Sequence, residues 1–194
     1  MTQYFENRES WLEAAIAEFQ QRIIEPQGFK LPEKLKVSVG FPPRARGGKT
    51  LGVCIAPEAS ANGSTETFIN PTIGDPEKAL GVLLHELVHA CAGVKAGHGP
   101  VFKRAAAKIG LEGSAKTCLP GAPLRAYIRD DLLPVLGDYP HSALDLNGGQ
   151  KKQTTRMIKL VDPKNPSYSV RSTRKVLSMG YPVSPLSGEV MVEG

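Results

Sequence analysis

The chain has 194 residues, 41% of them hydrophobic and 22% charged, with a formal net charge of +5 and a pI near 9.1. This is the composition of a soluble globular protein with room for one well-buried domain and a small appendage, and it excludes a low-complexity chain. No apolar run approaches the ~20 residues that span a bilayer, the polar and acidic residues 1–10 do not read as a signal peptide, and Cys54, Cys91 and Cys118 lack CxxC spacing, so they read as reduced core thiols of a cytoplasmic protein rather than a disulfide framework.

Taken in chain order, residues 10–25 are predicted to form an amphipathic helix, because Trp11, Ala15 and Phe19 recur at helical spacing and Leu12, Ile16 and Ile23 widen the stripe. Pro26 and Gly28 stop it. Alternation predicts strands through Val37, Val39 and Phe41 and through Leu51, Val53 and Ile55, with a Pro- and Gly-rich loop over residues 42–48 between them. A third strand fits residues 65–70, ended by Pro71. Asp75-Pro76-Glu77 combines an N-cap acid, a first-turn proline and a first-turn acid, which predicts a helix to about Gly93. Its apolar residues, Leu80, Leu83, Leu84, Leu87, Val88 and Cys91, cover much of its circumference, so it should be buried. Another helix opens at Gly99-Pro100, carries Val101, Phe102, Ala105, Ala106 and Ile109 on one face and ends at Gly110. Residues 123–136 form a third helical candidate, interrupted by Pro134. A boundary falls near residues 145–150, beyond which β-prone runs follow at 155–161, 168–173, 174–177 and 189–192. The expected fold class is therefore α+β, with a domain over residues 1–145 and a small β module over residues 146–194.

The chemistry concentrates in His85-Glu86-Leu87-Val88-His89, inside the apolar helix. Residues four apart share one helix face, so both imidazoles can hold one ion. Glu86 sits beside the first ligand without being forced to ligate, so it can hold a water and take its proton. Burying these groups without partners would cost on the order of 1–3 kcal/mol each, and a metal site removes that conflict. Three of the four histidines lie within 14 residues. His98, on a glycine-flanked loop nine residues after His89, is the preferred third ligand. The lesser candidates are Glu112, which follows the helix-ending Gly110 without a supporting motif, and His141, read first as a surface or hydrogen-bonded histidine, then as an auxiliary, and last as a ligand. No residue declares itself as the oxyanion stabiliser, since Tyr127, Tyr139 and His141 each read more simply as structural.

HELVHA, a short glycine-containing loop and GHGPVF, preceded by Thr67-Phe68-Ile69-Asn70-Pro71 and Asp75-Pro76, resemble the SprT-like zinc metallopeptidases. That family includes Spartan-type DNA–protein crosslink proteases. The likeness covers almost the whole chain and is greatest to phage-encoded members, which would place the protein in a host cytoplasm. The resemblance implies a zincin-like metallopeptidase domain, zinc held by His85, His89 and His98, and Glu86 as the catalytic residue. The substrate would be a protein or peptide, with DNA-associated proteins as one class, and residues 65–70 could align it by edge pairing. The alternative is a non-catalytic adaptor that binds nucleic acid or protein around a structural zinc, although Glu86 would have no purpose there.

Relatives of this kind commonly end in a zinc ribbon. Here Ser184-Pro185-Leu186-Ser187-Gly188 stands where a CPxCG knuckle would be, and the partner segment, residues 162–167, also lacks cysteine. Hydroxyls are poor zinc ligands, so the expectation is a ribbon-like β module without metal and one zinc per chain. Its core would come from Leu160, Val161, Tyr168, Val170, Val176, Leu177 and Val190. Residues 150–175 hold eight basic side chains against Asp162 alone. Among them Lys151, Lys152, Arg156, Arg171, Arg174 and Lys175 are the candidate DNA contacts, chiefly to phosphate. No membrane partner is expected.

Overall fold

A computed structural model describes residues 4–41, 50–146 and 157–194 of the chain. It is a mixed α+β structure that divides into two units, Met1–Leu146 and Asn147–Gly194. No helix among the described residues is long and apolar enough to cross a membrane.

The first unit begins with α1 (Arg8–Phe19), capped by the Asn7 side chain, which accepts from the Ser10 amide. The helical path continues through a π turn, Gln20–Ile24, and a short 3-10 turn that contains Pro26 and ends at Gly28. Trp11, Leu12, Ala15 and Phe19 are fully buried, as their spacing predicts. Arg8 is also buried, without a carboxylate partner among the described residues. Its guanidinium donates instead to the carbonyls of Pro140, Pro71 and His141 and lies over the Tyr139 ring. One cation thus ties α1 to two distant loops, and His141 serves through its carbonyl, on a left-handed backbone (φ 59°).

The sheet comprises β1 (Leu35–Val39), β2 (Gly52–Ile55) and β3 (Thr65–Ile69) in the order β1-β3-β2. β1 runs parallel and β2 antiparallel to β3. This corrects the expectation that residues 65–70 offer an edge to substrate. β3 is the central strand with both sides paired, and the edge beside the site is β2. Val37 pairs with Thr67 and Val39 with Ile69, so these residues share one face, and α1 and α2 (Pro76–Ala92) pack there.

Asp75 caps α2 as predicted, its carboxylate accepting from the Lys78 amide at 2.6 Å. α3 (Pro100–Ile109) follows, then the short pair β4 (Leu111–Glu112) and β5 (Leu119–Pro120). The predicted helix over residues 123–136 is three pieces: α4 (Ala122–Tyr127), a π turn over Ile128–Leu132, and α5 (Leu133–Leu136). The wider turn immediately precedes Pro134, where a regular helix would lose a hydrogen bond and meet the proline ring.

In the second unit, β6 (Ile158–Val161) lies between β7 (Ser169–Ser172) and β8 (Val192–Glu193). Residues 174–177 form a helical turn, α6 (Arg174–Leu177), and not a strand, because the Thr173 hydroxyl caps the Val176 amide. The small core is Leu160, Leu177 and Met191. Val176 and Val190, expected inside, are 47% and 55% exposed. The helical turn removes residue 176 from the strand alternation, and Met191 points inward in place of its neighbour.

Asp162 organises the segment where cysteine is missing. It is fully buried, and its carboxylate accepts from the Ser184 hydroxyl at 2.5 Å and from the amides of Lys164 and Asn165 at 2.8 and 3.1 Å. The hydrogen bond from Ser184, with others from Ser187 and the two amides, holds its pKa at about 2, against the opposing effect of burial. A carboxyl depressed in this way adds stability that is complete above its unfolded value of about 3.9 and is lost as pH falls through about 2. Acid titration of the full chain, followed by the Leu160 and Met191 methyl resonances, should therefore show this unit loosening below about pH 4. Asp162→Asn should lower its stability at neutral pH and remove that acid limb. An unchanged limb in the variant would count against the assignment.

Candidate metal centre

The site is built on α2, in which every residue from 79 to 90 is buried. His85 and His89 stand one turn apart, so their side chains leave the helix in nearly the same direction. The third imidazole arrives from a loop. Gly93 (φ 83°, ψ 121°) and Gly97 (φ 50°, ψ −137°) take backbone conformations that favour glycine, and the chain turns back between them. His98 Nε2 consequently lies 3.1 Å from His89 Nε2 and 3.4 Å from His85 Nε2. The ligand atoms of the three residues all fall within 4.8 Å of one another. No other group of three or more potential ligands among the described residues meets that standard. Glu112 and His141 stand outside it.

Proton counting shows that this cluster fits a cation. His85 Nδ1 lies 3.1 Å from the Cys118 carbonyl oxygen, which can only accept, so Nδ1 carries the proton and Nε2 of the neutral ring carries a lone pair. The Cys118 thiol is a weaker neighbour at 3.3 Å. A proton on either His89 Nε2 or His98 Nε2 can pair two of the three convergent nitrogens. It always leaves the third without a partner, whatever tautomers are chosen. One divalent ion accepts all three lone pairs. The carbonyl of Cys118 is then the outer partner that fixes the His85 ring.

Electrostatics favour the neutral ligands that a metal needs. Burial lowers the His85 pKa, opposed by the hydrogen bond to Cys118 and assisted by His98. Burial first, then repulsion from His85 and His98, takes His89 down to about 4. Phe102, fully buried on α3, buttresses the cluster with its ring centroid 5.1, 4.2 and 5.1 Å from those of His85, His89 and His98.

Glu86 is 6% exposed and lines the same cleft, whose volume is about 580 Å³. Burial raises its pKa to about 8, partly offset by a hydrogen bond from the Cys54 amide. A cation alongside would favour the carboxylate. The cleft runs between β2, from Thr50 to Cys54, and the segment from Lys116 to Leu119. Cys54 is no nucleophile, since burial and the Glu86 charge push its thiol up to about 12.

His85, Glu86, His89 and His98 are thus brought together, as the spacing predicted. The contributions of Cys118, Phe102 and β2 were not anticipated. Phe102 was visible only as an apolar helix position, and the other two depend on chain pairings that no local pattern encodes. The basic residues fall elsewhere. Arg171 lies on β7, Arg174 and Lys175 on α6, and all three are exposed. Arg174 is neutralised by Glu193 at 2.7 Å. Lys151, Lys152 and Arg156 lie outside the described residues. Comparison with protein-family models, curated proteins and solved structures finds no match to this chain.

The geometry predicts one divalent ion per chain. Metal analysis of the purified protein should give that stoichiometry, and His98→Ala should weaken the affinity by on the order of 100-fold or more. Two ions per chain, or an unaffected variant, would be inconsistent with the three-histidine centre.

Proposed function

We propose that the chain is a zinc-dependent endopeptidase of the SprT-like, zincin-fold kind, with His85, His89 and His98 as ligands and Glu86 as general base. The observation that carries this reading is the convergence of three imidazoles with a buried carboxyl in one cleft. Three histidines leave the fourth position of a tetrahedral ion open, which is the pattern of catalytic rather than structural zinc. An adaptor built on a structural ion would have no need of the buried Glu86, whose carboxyl costs free energy to desolvate.

Zinc in this position would polarise a carbonyl and acidify a water. Glu86 takes the proton from that water as its oxygen attacks the carbonyl carbon. It then delivers the proton to the amine nitrogen as the C–N bond breaks. His85 is held in its ligating tautomer by the Cys118 carbonyl.

A polypeptide substrate suits the cleft. Leu51 accepts from the Asn70 amide, so Leu51 and Val53 turn their backbone groups toward β3. Gly52 then turns its backbone groups toward the outer edge, where no strand pairs among the described residues. An extended peptide can add to such an edge. Glu86→Gln should lower turnover of an unfolded protein substrate by roughly 100- to 10,000-fold while the metal is retained. Undiminished activity, in a preparation free of other proteases, would overturn the assignment.

Action on DNA-associated proteins is part of the proposal. Lys159 and Arg171 are exposed and directly opposite on the β6–β7 ladder, and neither forms an ion pair among the described residues. Like charges so placed destabilise a sheet unless an anion meets them. Replacing both by alanine should reduce the slope of log affinity against log salt for duplex DNA by about 2. An identical slope would remove this ladder from the DNA contact.

A further inference from the structure

We infer that Gly52 is a positioning residue for Glu86, the absence of a side chain on β2 being what lets the carboxyl lie against the strand. The inference rests on the catalytic reading of Glu86 given above. A Cβ built at Gly52 would stand 2.7 Å from Glu86 Oε1, 2.9 Å from Glu86 Cγ and 2.7 Å from Val82 Cγ1. Real Cβ atoms do not approach so closely, so any other residue would displace the carboxyl, Val82 or the strand. Glycine in a strand gives up packing and backbone entropy, and its presence there marks a close approach. Here the neighbours are α2 and its reactive side chain.

β2 acts on the same carboxyl at a second position. Two residues along, the Cys54 amide acts on the same carboxyl, opposing the rise in its pKa that burial causes. Residues 52 and 54 both turn their backbone groups to the outer edge, as the Asn70–Leu51 hydrogen bond requires. β2 therefore offers a bare position followed by a donor, and Glu86 spans the two. A base must lie within hydrogen-bond reach of the water it deprotonates, and misplacement by about 1 Å can cost on the order of 100-fold in rate.

The test uses the zinc-loaded full chain. Gly52→Ala should keep one zinc ion per chain and lower kcat by about 100-fold, with KM within about threefold. The Cys54 amide proton should move to the position it takes in Glu86→Ala, which a general packing defect would not reproduce. The double variant Gly52→Ala/Val82→Ala frees the Val82 side only, so kcat should stay low. It carries the same readouts if the single variant does not fold. A Gly52→Ala enzyme with normal kcat, a Cys54 amide that does not move, or recovery in the double variant would overturn the proposal. If the wild type cleaves no protein substrate, the peptidase reading fails, and the amide shift still decides whether Gly52 positions Glu86.

Discussion

A polar face buried in the middle of an apolar helix is the constraint on which the first unit depends. α2 runs through the core with Leu83, Leu84, Leu87 and Val88 fully enclosed, yet His85, Glu86 and His89 lie among them at 8%, 6% and 8% exposure. Buried polar atoms must find partners, and each neighbouring element supplies one. β2 lies against Glu86 at Gly52, the segment before β5 gives the Cys118 carbonyl to His85, and the loop into α3 brings His98. Phe102 then closes the remaining side with a ring that makes no polar demand. The order of elements around α2 is in this sense an answer to the groups α2 carries.

The same enclosure sets the charge state. Burial pushes His85 and His89 down and Glu86 up, so each departs from its ordinary value toward neutrality. The imidazoles keep their lone pairs, as ligands must, and the carboxyl holds its proton until a positive charge stands nearby. A divalent cation resolves both tendencies at once: it uses the lone pairs and favours the carboxylate. Cation binding at the histidines and ionisation of Glu86 would therefore be coupled through one electrostatic environment.

What could be read from the sequence was what local chemistry encodes. The Asp75 cap, the first-turn proline, the i, i+4 histidines and the glycines before His98 each act within a few residues, and the structure places all of them as expected. The strand order could not be read, because residues 37–39, 53–55 and 65–69 alternate in similar ways and only their pairing makes β3 central. That pairing determines which strand borders the cleft, so the roles of Gly52 and Cys54 stayed hidden. In the second unit, a single residue decided whether Val190 or Met191 faced inward, and a threonine cap converted residues 174–177 from strand to helical turn.

Hydrogen-bond matching separates the two polar clusters of the described residues. An ionised carboxylate has about four acceptor positions. Asp162 meets the hydroxyl of Ser184 and the amides of Lys164 and Asn165, so three of these positions are matched by donors of the chain itself. That joins the segments around residues 162 and 184 without thiolates, where the sequence had shown only that cysteines were missing. The histidine cluster is the opposite case. Three convergent nitrogens cannot pair among themselves, and the fold accepts that deficit at the centre of its most buried helix. A carboxylate matched by donors of its own chain serves the fold, whereas three nitrogens that leave an acceptor unmatched could hold a cation.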